Sequence, residues 1–381
     1  MRSPAALALT GFSLIAVTYG MARFSWGLML PAISAAIPLS PQQTGLLSAC
    51  SFVSYCLTIL SAAALARRYG ARLTALLASL CATAGLLLLA LATSPLLLAA
   101  GLFIAGFSSG LAAAVSACVP AARQPRINTL INAGTSAGII LSVIILGTLP
   151  GGWRAACGLF ALLALACALP VMRHISSHTA AHRPQKRHGQ PRLYCRALRR
   201  LMGIALVSGL ISAAWWSFGS VLLRQHVGVD AESARLLWLI AGGAGIAGVL
   251  TGPLAARIGL NGVYRLALCG MAVPLLVLAL SRGDSAGLMV AVACCGAGYV
   301  TLSGVLLVWG AQATADDPAT GVGMLFFMLA AGQVVGSLLF GQLYAALGAV
   351  TALTLFAASA LLLLFVAPRR VKAPQRDRRQ P

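Results

Sequence analysis

Runs of about 20 mostly apolar residues recur along this 381-residue chain, parted by short polar punctuation, and a helix needs about that length to cross roughly 30 Å of hydrocarbon. Backbone surrounded by lipid must satisfy its own hydrogen bonds, so repeated crossings of this length are made by α-helices. Composition supports the same class. With 60% hydrophobic and 9% charged residues, the chain has far more apolar side chain than a water-exposed surface can offset.

Twelve spans are predicted: Leu7–Ile33, Thr44–Ala66, Leu73–Thr93, Pro95–Pro120, Asn128–Leu149, Trp153–Met172, Leu201–Leu223, Arg235–Ala256, Val263–Ser281, Ala286–Gln312, Ala319–Ala346 and Ala349–Ala367. The first is too long for the apolar core of a cleaved signal peptide and is read as a retained helix. With the N-terminus placed in the cytoplasm, 22 of the 27 Lys and Arg fall on the cytoplasmic side and four outside, leaving Arg23 within a span. That asymmetry fits the positive-inside rule with both termini cytoplasmic.

The net charge of +21 follows membrane sidedness and has no nucleic-acid-binding motif around it. A nucleic-acid partner is therefore not expected, whereas contact of the basic loops with anionic lipid headgroups is. The ten cysteines show neither CxxC nor Cys/His ligand spacing and read as small core residues.

Between the sixth and seventh spans lies the basic stretch Arg173–Arg200, with His174, His178, His182 and His188. The histidine spacing offers a possible metal site, but Pro184, Gly189 and Pro191 favour a flexible linker. The expected organisation is a six-helix bundle over 1–172, a cytoplasmic linker over 173–200, a second six-helix bundle over 201–367 and a basic tail over 368–381. The halves resemble each other six helices apart. Leu65 to Gly70 after the second span parallels Leu254 to Gly259 after the eighth, and Ala133 to Gly138 in the fifth parallels Ala331 to Gly336 in the eleventh. Parallel duplication of a six-helix unit is a repeat pattern of secondary transporters, which bind substrate near the midplane between repeats.

Ala63 through Arg72 reads Ala-Ala-Leu-Ala-Arg-Arg-Tyr-Gly-Ala-Arg. This resembles, with Arg67 in place of the aspartate, the Gly-x-Leu-Ala-Asp-Arg-x-Gly-Arg-Arg loop of the major facilitator superfamily. Trp153, Arg154 and Phe160 are similar to the opening of that superfamily's sixth helix. Tyr19 through Pro31 is similar to the first helix of its bacterial YbfB/YjiJ-like branch. The resemblance covers essentially the whole chain. It implies twelve transmembrane helices in two bundles related by a pseudo-twofold axis along the membrane normal, and a conformational gating loop at Arg67, Arg68, Gly70 and Arg72, with a second copy at Arg257 and Gly259. Leu102 and Gly106 stand where many members carry an arginine, and Gly134 and Gly138 lack the antiporter proline, so drug/proton exchange is not carried over.

Arg23 is the most pointed single residue. An unpaired cation in hydrocarbon costs at least about 2.5 to 3.5 kcal/mol, so such a group faces a bundle interior or a wet cavity. All six acidic residues lie outside the predicted spans, which leaves no buried carboxylate for a proton relay. Tyr19, Arg23 and Trp26 are spaced to share a helix face. By analogy with the superfamily, the first, fourth, seventh and tenth helices line the cavity, adding Trp215, Trp216 and Tyr299. Asn132 and Gln333 are amides at near-matching positions of the fifth and eleventh spans, suited to bonding across helices or touching substrate. Two roles fit Arg23: bidentate capture of a substrate carboxylate or phosphate, or structural bonding to backbone carbonyls.

The reading is a secondary transporter of the bacterial inner membrane, working by alternating access on a small organic solute, with an anion favoured by Arg23. Efflux of hydrophobic drug-like compounds and a non-translocating membrane sensor are the alternatives. No catalytic cluster, cofactor or metal site is expected, and the protein is expected to act as a monomer.

Overall fold

The structure is a computed structural model that describes residues 4–113, 115, 124–176, 196–283, 285–314 and 318–366. Among the described residues the secondary structure is entirely helical, and ten helical stretches are long and apolar enough to cross a membrane. The elements are α1 (Pro4–Ile15), a π-helical segment (Ala16–Phe24), α2 (Ser25–Ala36), α3 (Pro41–Tyr69), α4 (Ala71–Ala90), α5 (Pro95–Ala112), α6 (Gln124–Thr148), α7 (Gly152–Ala166), α8 (Ala168–His174), α9 (Arg196–Val221), a second π-helical segment (Leu222–Val227), α10 (Ala231–Ala244), a 3-10 segment (Gly245–Leu250), α11 (Thr251–Leu280), α12 (Ala286–Ala313) and α13 (Pro318–Leu364). His178, His182 and His188 lie outside the described residues with 177–195, whereas the ends of the expected 173–200 linker are helical, Arg173 and His174 closing α8 and residues 196–200 opening α9.

Local signals set the boundaries. Ser40 and Gln43 form a reciprocal capping box at the start of α3, with Pro41 in its first turn. Ser94, Asp230 and Ser285 accept backbone N–H bonds at the starts of α5, α10 and α12.

Two stretches are far longer than a bilayer is thick: Ala231–Leu280 has 50 residues and Thr320–Leu364 has 45. Each is broken at one residue, Gly259 (φ 72°, ψ 159°) and Gly348 (φ 79°, ψ 172°). Gly70, between α3 and α4, has nearly the same conformation (φ 87°, ψ 150°). This region of backbone space is essentially open to glycine alone. A Cβ at Gly259 or Gly348 would meet no atom within 4 Å, so glycine is needed there for its dihedrals rather than for room.

Other glycines are needed for room. A Cβ on Gly134 would lie 2.3 Å from the Phe12 carbonyl oxygen, and one on Gly138 2.0 Å from that of Ala16. The same arrangement recurs where Gly332 and Gly336 of α13 meet α9, at 1.9 Å from the Leu206 oxygen and 2.3 Å from that of Leu210. The glycine pairs matched by sequence thus sit in matched helix crossings.

Most buried apolar residues fall into two cores, one built mainly from residues up to Ile175 and one mainly from Leu198 onward. Several crossings join them. Two run antiparallel: on α3 and α13, Gly45 abuts Ser337 and Gly341 abuts Pro41; on α6 and the stretch that starts with α10, Gly242 abuts Ile139 and Gly245 abuts Ser136. A third brings Gly27 of α2 against the Trp216 backbone of α9.

Of the loop residues read as a gate, Arg67, Arg68, Arg257 and Gly259 are exposed and Gly70 is buried in its turn. Arg68 lies over the Tyr69 ring, 5.2 Å from its centroid. Arg72 donates to the Ile175 carbonyl at 2.7 Å, tying the α3–α4 turn to the end of α8. Arg154 bonds the Ala92 carbonyl at 3.0 Å and covers the Trp153 ring at 4.2 Å, fastening the start of α7 to the end of α4. The eight described cysteines are unpaired.

Candidate functional site

Arg23 is 6% exposed, so it faces protein on every side. It lies in the π-helical segment Ala16–Phe24, a wide winding found mostly as short interruptions and often at functional sites. Hydroxyl groups support this segment. Thr18 donates to the Leu14 carbonyl and Ser109 of α5 donates to the Thr18 carbonyl, both at 2.8 Å, while Ser25 donates to the Met21 carbonyl. Gly20 and Gly138 let α6 press directly on it.

Tyr19, Arg23 and Trp26 do share a face, and it is turned toward α3. The two elements run antiparallel, so partners pair off in reverse order. The Tyr19 hydroxyl donates to that of Tyr55 at 3.2 Å, Arg23 sits 4.2 Å from the Tyr55 ring centroid and 4.9 Å from that of Phe52, and the Trp26 indole donates to Ser48 Oγ at 2.8 Å. The Phe24 and Tyr19 rings complete a cage at 5.3 and 5.7 Å. Each face-on ring contributes about 0.5 to 2 kcal/mol to holding a desolvated cation. Trp26 belongs to the core of the first half and does not line the cavity beside Arg23.

From the opposite side, Arg23 donates through one terminal nitrogen to Gln333 Oε1 at 2.7 Å. Gln333 is fully buried in α13, and its Nε2 donates in turn to Ser212 Oγ of α9 at 3.2 Å and to the Tyr299 hydroxyl of α12 at 3.3 Å. One bond therefore links an element before position 177 to a network wholly after position 195. Asn132 is half-buried and takes no part in these bonds.

A cavity of about 20 Å3 is bounded by Tyr19, Arg23, Tyr55, Tyr299 and Gln333, with Phe326, Leu329 and Ala330 closing it. It has room for roughly one water. Hydrogen-bond accounting gives its chemical character. Among the described residues Arg23 Nε is buried with no partner, the Tyr19–Tyr55 pair shares one bond and so leaves one phenolic proton over, and Tyr299 accepts from Gln333 while its own proton is unspent. These spare donors, beside the guanidinium charge, suit the lining to an anionic group, although the phenol and amide oxygens also keep lone pairs to spare.

The aromatic residues Trp215 and Trp216 lie next to this corner. Trp216 contacts Phe24 (centroids 4.7 Å), Tyr299 (5.4 Å) and Trp238 (5.9 Å), and Trp215 stacks on Trp238 at 5.2 Å. Trp215 and Trp216 pack with Ser212, Met271, Cys295 and Tyr299 in a closed apolar cluster that has no room for a water and shares Ser212 and Tyr299 with the Arg23 site. The indole N–H groups of Trp215 and Trp238 are buried without partners among the described residues. The structure thus joins Tyr19, Arg23, Tyr299 and Gln333, places Trp215 and Trp216 beside them, and separates Trp26 and Asn132 from them. Phe52, Tyr55 and Ser212 were not picked out from sequence. The spacing Ser48, Phe52, Tyr55 repeats the i, i+4, i+7 pattern of the first helix and is the signal that marks the facing rungs.

The similarities to known proteins agree with this architecture. Two proteins of Mycobacterium tuberculosis strains, both named chloramphenicol efflux pumps, are 31% identical over 314 and 313 residues, covering 72% of this chain and 70% of each relative. The crystal structure of nucleoside transporter NupG superposes with a TM-score of 0.73 at 14% identity, covering 96% of this chain and 98% of that one. A NupG mutant structure gives 0.77 at 12% identity, with 94% and 98% covered. At such identities the superpositions speak for the fold. Residues 12–319 match the Major Facilitator Superfamily, and with its many apolar helices this chain is a multi-pass membrane transport protein belonging to that superfamily.

Proposed function

We propose that this protein moves a small organic anion across the bacterial cytoplasmic membrane by alternating access, with Arg23 holding the anionic group. The observation that carries the reading is the buried guanidinium, its Nε unspent, beside a cavity with spare phenolic donors and no carboxylate in its lining. A carboxylate or phosphate would accept from these donors and supply the counter-charge. The aromatic residues alongside would pack against the body of an organic substrate.

In this reading each of the two long helical stretches crosses twice, turning at Gly259 and Gly348, which gives twelve crossings. The matched glycine crossings and the like turns at Gly70 and Gly259 support two six-helix repeats, over 1–172 and 201–367, related by a pseudo-twofold axis. Lys and Arg sidedness supports cytoplasmic termini, with Arg67, Arg68, Gly70 and Arg72 and their counterparts Arg257 and Gly259 gating at the cytoplasmic ends. The working unit is taken as a monomer in contact with lipid.

A second reading is efflux of uncharged, acceptor-bearing aromatic compounds. It is favoured by the names of the M. tuberculosis relatives and by a cation already held by four rings and an amide. Proteoliposome flux of radiolabelled benzoate set beside that of chloramphenicol separates the two. Under the anion reading, Arg23→Ala abolishes benzoate flux with the protein still folded, and Arg23→Lys restores little because the planar fork is gone. Normal benzoate flux in the alanine variant would overturn it. Binding of benzoate without flux would indicate a sensor.

A further inference from the structure

We infer that Gln333 is a tethered stand-in for the substrate: its amide oxygen occupies the acceptor position on Arg23 that an anion must take, so substrate binding and the Arg23–Gln333 bridge exclude one another. The inference rests on the anion reading above and assigns Gln333 a role opposite to that of a ligand contact.

Three observations carry it. First, the Arg23–Gln333 bond is 2.7 Å long and buried, a good charge-assisted bond to a neutral oxygen. Second, the amide orientation is fixed. Both Nε2 protons have acceptors, Ser212 Oγ and the Tyr299 hydroxyl, and Ser212 spends its own proton on the Gly209 carbonyl at 2.8 Å, so it can only accept from Gln333. Oε1 is thereby aimed at Arg23 and not free to flip. Third, the cavity alongside has room for roughly one water. A carboxylate seated on the same guanidinium edge needs more room than that, and the amide oxygen must leave to provide it.

Two consequences follow. The apparent affinity is lowered by the fraction of protein in which Gln333 occupies Arg23. The bridge also joins the first half to the second only when no anion is present, so the empty and loaded carriers differ in a contact between halves.

The test uses the full-length protein in detergent, with benzoate as probe and tryptophan fluorescence as readout, since Trp216 lies beside Tyr299 and Phe24. Gln333→Leu removes the stand-in, and the benzoate Kd is expected to fall about fivefold to tenfold, the effect of one hydrogen bond no longer competed for. Gln333→Glu replaces it with a true counter-ion, and the Kd is expected to rise by about tenfold or more. If the leucine variant does not fold, Gln333→Met keeps the side-chain length and still lacks the oxygen. Opposite signs support the inference. Weaker binding in both variants would mark Gln333 as a ligand contact and overturn it, as would equal affinity in both, including binding by neither. An Arg23→Ala protein that binds benzoate normally would remove the anion reading itself. Loss of binding in Arg23→Ala together with same-sign changes at Gln333 would remove the stand-in alone.

Discussion

Arg23 and Trp26 are three positions apart, and the structure gives them separate tasks. Trp26 ends in a bond to Ser48 within the first core, so Trp26→Phe is expected to cost about 1 kcal/mol of stability, measured by thermal unfolding, with flux retained. Gly138 is different. A valine there collides with the Ala16 carbonyl at the start of the π-helical segment, so Gly138→Val is expected to destabilise by about 1 to 3 kcal/mol or more and to abolish flux by displacing Arg23. Sequence picked out Arg23 and Gln333 because ionisable and amide groups are costly in an apolar span and stand out, Tyr19 because its spacing puts it on the face of Arg23, and Tyr299 through the resemblance that puts its helix at the cavity. Phe52, Tyr55 and Ser212 did not stand out, since aromatic and hydroxyl side chains are ordinary there. What distinguishes them is the partner across the interface, which a single helix pattern does not contain.

At the scale of elements, the turns at Gly70 and Gly259 are the most exacting. Gly259→Ala puts a Cβ into a backbone region that resists it and is expected to destabilise by about 1 to 3 kcal/mol although the space is open, which a melting curve would register. At the start of α10, the Ser233 backbone N–H holds the Asp230 carboxyl below its ordinary value of 3.8. A lowered carboxylate contributes stability above the unfolded value and loses it as pH falls through the folded one. Asp230→Ala is therefore expected to melt lower than the parent at neutral pH, with the gap narrowing in acid below about pH 4. The apolar spans were legible, because length and hydropathy are local signals, whereas the caps at Ser40, Ser94, Asp230 and Ser285 were not read from the sequence. The π-helical winding was not. It depends on Gly138 and Ser109 pressing and bonding from other helices, and no periodicity within Ala16–Phe24 announces it.

For the whole molecule, the crossings that join the halves, α3 on α13 among them, are the parts that the proposed alternating access would have to open and close. Gly45 meets Ser337 at backbone contact distance, so Gly45→Leu holds α3 off α13 at that end. The expected outcome is normal membrane insertion with flux lost for benzoate and chloramphenicol alike, checked by membrane fraction and proteoliposome flux. The like crossings of Gly134 and Gly138 and of Gly332 and Gly336 were foreshadowed by short glycine-bearing sequence matches. Their meaning became clear only from the shared crossing geometry, since similar glycine pairs are common in apolar helices.

The single-residue turns at Gly259 and Gly348 have a mechanical result. Where a loop of several residues would let adjacent rods slide or tilt independently, a hinge one glycine long clamps them end to end. Within Thr251–Leu280 and Pro318–Leu364, relative motion of the two rods in the proposed cycle would therefore have to pass through that one residue.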